Sequence, residues 1–254
     1  MKSKKIYFTF FIAAITFWSC NSKNAAPGAN DSAKEAKAKG VIEGTVNCSC
    51  ADLLQSPIKI YGDSAILAPS LEINFRAKPT PMELKHDGHA YKIMPRDTAN
   101  NNNYVSFNKK VYTFKAFHFH HQSEHWIDGA RSPMEMHIIY ENKQTGANVV
   151  VGLLIETGKD PNTSLNGVFT QFPASGSIPG DVNLTDVINF SKNDIYYTYV
   201  GSLTTKPFTE GIAWIVFRKK LVLTAVQIAK FVHNEPDTAR ATFPINNRVI
   251  FKDK

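Results

Sequence analysis

The stretch AFHFHHQSEHWIDGARSPMEMHIIY, residues 116 to 140, limits what this chain can fold into more than any other feature, with five histidines and two glutamates in twenty-five positions. Successive side chains of a strand point to opposite faces, so Tyr112, Phe114, Ala116, His118 and His120 are expected on one face and Phe117, Phe119 and His121 on the other. After a turn at Asp128-Gly129, MEMHIIY places Glu135, His137 and Ile139 on one face and Met134, Met136 and Ile138 on the opposite one. If the two strands pair as an antiparallel hairpin, His137 joins His118 and His120. Three imidazoles then converge and leave a fourth tetrahedral position for water, which is what catalytic zinc requires. Glu135 is placed to accept the other N–H of a ligand histidine and fix its orientation. A lone H-x-H on a strand is as a rule a solvated polar face. The third histidine, with a glutamate two residues before it, argues for a metal, because a solvated face has no need of that pairing.

The rest of the chain supplies a scaffold for such a site. SPIKIYG, LEINFRA, HAYKIMPR, YVSFN, KVYTFKAFHFH, MEMHIIY, NVVVGLLIETG, DIYYTYVG and IAWIVFRKK are short, rich in β-branched and aromatic residues, and separated by Gly, Asn, Asp or Pro. One helix is expected within 161 to 172 and another from Thr224, where T-A-V-Q has the form of a capping box. With 254 residues, 43% of them hydrophobic and 20% charged, the chain can bury one substantial core. The expectation is a mainly β single domain with a few surface helices.

The N-terminus reads differently. Lys2, Lys4 and Lys5 precede the apolar run IYFTFFIAAITFW, which is too short for a comfortable membrane span and right for a secretory signal. Cys20 follows directly, as a lipid-attachment cysteine of a bacterial lipoprotein would, although Phe17 and Trp18 are bulky for that role, so simple cleavage or an uncleaved anchor stays open. Residues 21 to 42 are small, polar and aperiodic, as in a flexible linker. Export to the periplasm or outer envelope is expected, with a membrane anchor at Cys20. The formal charge of +7 is concentrated here: residues 1–40 carry seven lysines against Asp31 and Glu35, which leaves +2 for the remainder, with no basic run to suggest a nucleic-acid partner. Cys48 and Cys50 are too close in C-S-C to bridge without strain and too few for structural zinc.

The histidine-rich stretch resembles the zinc-binding core of the α-class carbonic anhydrases. LLQSPIKI, HDGHAYKI, GSLTTKPFTEGIAWIVF and INNR resemble other segments of that family in the same order, across about 50 to 250. The resemblance implies that 43–254 form the catalytic domain, a large twisted, mostly antiparallel sheet with peripheral helices and zinc at the bottom of a cone-shaped cleft. It assigns zinc to His118, His120 and His137. The Thr204 hydroxyl would bond Glu124 and zinc-bound hydroxide, and thereby aim the nucleophile. It gives His125 and Glu135 supporting places behind the ligands. Ile139, Val150, Leu203, Ile212 and Trp214 would wall an apolar pocket for carbon dioxide, with Thr205 at its edge. His89 in D-G-H-A would be the proton shuttle, a task suited to a side chain whose unperturbed pKa is about 6.5. The implied reaction is reversible hydration of carbon dioxide to bicarbonate and a proton.

Several positions depart from the family pattern. Ala116 stands where a glutamine amide usually orients the first ligand, so that hydrogen bond is expected to be missing. His121, facing away from the zinc, is read as structural. Asp87 and Lys92 replace asparagines near the shuttle and would act on its protonation in opposite directions. Phe208 takes the place of a cysteine common in exported members, Lys206-Pro207 keeps the second proline of a Pro-Pro whose bond is often cis, and the aromatic N-terminal segment is not recognisable in VIEGTVNCSCADL. Ala116 and that missing segment support an alternative, a catalytically weakened binding or adhesion lipoprotein of the same fold. A zinc-scavenging lipoprotein is a third reading, which would not require the Thr204–Glu124 pair.

Overall fold

Alternating and continuous apolar runs form strands at nearly every place the sequence predicts them. The computed structural model describes residues 53–68, 72–88 and 90–254. The expected signal, Cys20, the linker, Cys48, Cys50 and His89 lie outside the described residues.

Twelve strands make one mixed sheet in the order Gly176–Val182, Thr80–His86, Tyr91–Pro95, Lys110–His121, Met134–Glu141, Asn148–Gly158, Glu210–Thr224, Tyr196–Ser202, Phe251–Lys252 and Ile66–Leu67, with Ile73–Arg76 and Tyr104–Phe107 off this path. Most pairings are antiparallel. The long central pairing of Asn148–Gly158 with Glu210–Thr224 is parallel, as are the pairing at the Ile66–Leu67 edge and a separate two-stranded sheet of Lys59–Ile60 with Trp126–Ile127.

The central strands are apolar on both sides because both sheet faces are covered. One face carries the larger core, in which Phe117, Ile138, Val151 and Phe217 are buried together. Two helices, Asn166–Gln171 and Ala225–Val232, close it through Phe169 and Phe231, whose rings stand 5.6 and 5.8 Å from Phe119. The second helix begins with the predicted capping box: Gln227 N–H donates to Thr224 Oγ1 at 3.2 Å, and Thr224 N–H donates to Gln227 Oε1 at 3.1 Å. The opposite face carries a smaller cluster that includes Val150, Ile212, Trp214 and Tyr199.

Strict alternation along 110–121 is broken, which corrects one expectation. The register to Met134–Glu141 shifts between Phe114 and Ala116, so Lys115 is an extra residue in a bulge. Phe114 therefore lies opposite Tyr140 and joins Phe117 and Phe119 in the larger core, as does Tyr112. Ala116, His118 and His120 keep the ligand face predicted for them, and Phe117 and Phe119 the opposite one.

Besides the two-residue strands Ile66–Leu67, Trp126–Ile127 and Phe251–Lys252, three longer elements escape the sequence reading. Thr80–His86 contains Pro81, which argues against a strand, yet Thr80, Met82 and Leu84 alternate inward. Gly176–Val182 is an irregular edge strand holding Pro179 and two glycines. The helix Leu184–Ile188 is too short to show a period; Asn183 caps it by accepting the Thr185 N–H.

Candidate metal centre

The hairpin predicted around Asp128-Gly129 is present, with His118 directly opposite His137 and His120 opposite Glu135. Asp128 and Gly129 both take positive φ, 50° and 79°, as the turn requires. Behind His137 the next strand offers Gly152, where an added Cβ would stand 2.9 Å from Glu135 Oε1. The lack of a side chain there is what lets Glu135 lie beneath the histidines.

One ring nitrogen from each of His118, His120 and His137 falls within 4.8 Å of the other two, and all three residues are buried. Burial pushes each imidazole pKa down, and repulsion from neighbouring rings adds to this (His120 and His137 on His118, His125 on His120, His120 on His137), so the rings are neutral with free lone pairs at neutral pH. For His118 the shift is large, and the Lys92 charge contributes to it.

Protein partners occupy only part of this donor set. His120 Nδ1 lies 3.0 Å from the Thr238 carbonyl, which as an acceptor fixes the proton on Nδ1, and Nε2 is left without a partner. His137 Nε2 lies 2.9 Å from Glu135 Oε1, which leaves Nδ1 toward the cluster. Neither nitrogen of His118 has a partner. Buried polar atoms are nearly always hydrogen-bonded, so orphaned imidazole nitrogens converging on one point are the signature of metal ligands. Three neutral imidazoles are also the donor set that suits a catalytic zinc. The residues present therefore fit that metal.

The second free nitrogen of His118 has a separate cause. Ala116, on the same face, ends at Cβ and can offer no acceptor. The acceptor expected to be missing from residue 116 is indeed missing.

Glu135 organises the layer below. Its Oε2 accepts the N–H groups of Glu124 at 2.8 Å and His125 at 2.7 Å, and its Oε1 lies 2.7 Å from His125 Nδ1. Burial alone would raise its pKa, but the His125 and His137 rings with their hydrogen bonds overcome this and hold the carboxyl well below the usual range. His125 is oriented in turn: Nε2 lies 2.7 Å from the Tyr199 hydroxyl, which lies 2.8 Å from Ser56 Oγ, and Ser56 N–H donates to Ser202 Oγ at 2.9 Å. Burial pushes the Tyr199 phenol well above its ordinary pKa and keeps it protonated.

Glu124 is also fully buried, and its Oε1 accepts the Arg240 N–H at 2.7 Å. Burial raises its pKa, while His137, the Thr204 hydroxyl and the Arg240 N–H act against that shift. Thr204 is thus close enough to influence the carboxylate, although Oε2 has no partner at normal hydrogen-bond length. The Arg240 guanidinium lies between the rings of Phe208 and Phe243, 3.8 and 4.2 Å from their centroids, and donates to Gln55 Oε1 and the Ser56 carbonyl. Phe208, where a cysteine was expected in exported members, is a platform for this cation.

The pocket residues predicted from the sequence come together as well. Val150, Ile212 and Trp214 are buried in the smaller cluster, and Ile139 and Leu203 pack against it half-buried. Trp214 Nε1 donates to the Ser202 carbonyl at 3.0 Å and its rings lie 4.7 and 4.8 Å from His125 and His137. Thr205 is half-buried in the loop after Thr204, and Lys206-Pro207 in that loop is cis. His121 faces away from the ligands, with Nδ1 on the Pro236 carbonyl.

Sequence reasoning gave no role to Ser56, Gly152, Tyr199, Ser202, Thr238 or Arg240. They lie up to 185 residues from their partners, and no local pattern signals such contacts.

Known proteins resemble this chain in sequence and fold. The profile described as eukaryotic-type carbonic anhydrase matches residues 44–254. A carbonic anhydrase of Neisseria gonorrhoeae is 32% identical over 205 residues, covering 78% of this chain and 77% of that protein. One from Klebsiella pneumoniae is 30% identical over 203 residues, covering 78% and 79%. The solved α-carbonic anhydrase of Thermovibrio ammonificans, in complex with the inhibitor sulfanilamide, superimposes with a TM-score of 0.71 at 29% identity, covering 79% of this chain and 87% of that one.

Proposed function

The chain belongs to the eukaryotic-type carbonic anhydrase family, and we propose that it catalyses the zinc-dependent, reversible hydration of carbon dioxide to bicarbonate and a proton. The observation that carries this reading is the set of three buried, neutral imidazoles whose ring nitrogens converge, those of His118 and His120 without a protein partner.

In this account His118, His120 and His137 hold the zinc. A bound zinc ion supplies Lewis acidity that lets a water lose its proton near neutral pH, a behaviour for which carbonic anhydrases are themselves the standard example. Glu135, kept ionised by its two histidine partners, fixes His137 and His125. The Thr238 carbonyl fixes His120. Glu124, acceptor-only when ionised, accepts the hydrogen bond that the Thr204 hydroxyl donates, so the Thr204 oxygen is left to accept from the attacking group and orient it. Ile139, Val150, Leu203, Ile212 and Trp214 present an apolar wall that suits carbon dioxide and excludes competing water, with Thr205 at its edge. His89 is proposed to move the proton released in each cycle out to solvent, a task to which an imidazole is chemically suited.

Export and lipid attachment at Cys20 are proposed from the leader alone. Among the described residues no helix is long and apolar enough to cross a membrane.

The reading is tested by Thr204→Ala and Glu124→Gln in stopped-flow carbon dioxide hydration, with zinc content measured on each sample. Each should lower kcat/KM by about 10²-fold at full zinc loading, as expected where an orienting hydrogen bond is made in the transition state. Unchanged kcat/KM in both would contradict the role given to the pair.

A further inference from the structure

Lys92 has no counterpart in the chemistry described so far. Tyr91–Pro95 pairs antiparallel with Lys110–His121, and Ile93 lies opposite Phe117. Both of those face the larger core. One step back along the first strand and one step on along the second, Lys92 and His118 are therefore cross-strand neighbours on the other face, that of the ligands. The electrostatics agree, since the Lys92 charge reaches His118.

The ammonium is also held in place. Asp87 Oδ2 lies 2.5 Å from Lys92 Nζ, and the aspartate is itself fixed by the turn it opens: Asp87 N–H donates to the Ala90 carbonyl at 3.2 Å and Ala90 N–H donates to Asp87 Oδ1 at 3.0 Å. Both side chains stay about one-third exposed, 33% for Lys92 and 38% for Asp87. An ion pair so placed adds little to stability, so stability is a poor reason for it. Lys92 cannot stand in for the acceptor missing at Ala116 either, because an ammonium donates three hydrogen bonds and accepts none.

A fixed cation beside a site that forms and consumes an anion does have a use. We propose that Lys92 is an anion-recognising side chain of this site, which strengthens the binding of bicarbonate and other small monoanions, and that Asp87 positions it and partly offsets its charge. This inference rests on the reading of the site as a bicarbonate-forming zinc centre. Carbon dioxide, being uncharged, gains nothing from the ammonium, so Lys92 discriminates between the two directions of the reaction through their substrates.

The test uses the protein loaded with cobalt(II) in place of zinc and titrated with thiocyanate and with bicarbonate, read by its visible absorption. Lys92→Gln should raise both dissociation constants by about two- to fivefold, the scale of one partly screened unit charge several ångströms away. Asp87→Asn, which keeps the acceptor for Ala90 N–H, should lower them by a similar factor. Both differences should shrink as ionic strength rises. In turnover, the ratio of KM for bicarbonate to KM for carbon dioxide should rise in Lys92→Gln. Equal dissociation constants in Lys92→Gln and the parent, or weakening in both variants alike, would overturn the proposal. A protein that binds anions in a Lys92-dependent way but hydrates no carbon dioxide would defeat the proposed reaction and leave this inference standing. Failure to load cobalt at all would defeat both.

Discussion

Replacing Ala116 with glutamine should tighten zinc binding. In the fold, residue 116 lies two positions before His118 and opposite Ile139, and His118 is the one of the three clustered histidines with no acceptor for its second ring nitrogen. The other two are supported, His120 by the Thr238 carbonyl at 3.0 Å and His137 by Glu135 at 2.9 Å. A partner of this kind is typically worth about 10- to 100-fold in metal affinity, or about 1.4–2.7 kcal/mol. Against this stands the cost of a larger side chain at a position only 7% exposed, where crowding takes back about 1–3 kcal/mol if the neighbours cannot move. Ala116→Met separates the two effects, because it has nearly the same volume and no strong acceptor. Zinc dissociation constants, measured by competition with a chromophoric chelator, should fall in the order methionine, alanine, glutamine if the surroundings resist, with glutamine at least about tenfold tighter than methionine in either case. Equal affinity of the glutamine and methionine variants would refute the reasoning, since it would mean that His118 needs no acceptor or is not a ligand.

The metal-free protein should lose stability as pH falls below about 6.5, because His118, His120 and His137 stay neutral in the fold while the unfolded chain protonates; each contributes a slope of up to about 1.4 kcal/mol per pH unit until its depressed folded pKa is reached. Glu135, whose folded pKa is lowered, adds stability that is present above about 4.5 and lost as pH falls through its folded value; urea midpoints that do not decline from pH 8 to 4 would contradict the histidine shifts, and midpoints that do not decline further below pH 4 would contradict that of Glu135. Gly152→Ala forces a methyl to within 2.9 Å of the Glu135 carboxylate and should lower stability by about 1–3 kcal/mol and weaken zinc, whereas a neutral result would show that the network can shift as a unit. Tyr199→Phe strands His125 Nε2, leaves Ser56 Oγ with the Ser202 N–H alone, and should cost about 1–3 kcal/mol in chemical denaturation, with an unchanged midpoint counting against the buried chain of hydrogen bonds.

Residues close in sequence made most of the site legible. Strand periodicity placed His118, His120, Glu135 and His137 on one face, and the Asp-Gly turn brought the two strands into register. The same periodicity failed at Lys115, because a bulge changes the phase of a strand without any compositional mark, and it sent Tyr112 and Phe114 to the opposite face from the one expected. Pro81 hid a true strand, since a local rule about missing N–H donors cannot know which positions of a ladder need one. Long-range supports such as Thr238 to His120, Tyr199 to His125 and Arg240 to Glu124 were invisible because they depend on how distant strands and loops meet. Ala116 is the instructive exception: a residue defined by what it lacks was read from sequence, and the unpartnered nitrogen of His118 is its physical counterpart.

Zinc held by the three convergent imidazoles is expected to be catalytic. Stopped-flow carbon dioxide hydration on the purified protein, with zinc content determined on the same sample, tests it most directly. One zinc per chain and hydration well above the buffer rate are expected, both abolished together in His120→Ala. A protein carrying one zinc per chain with no hydration above buffer would contradict it.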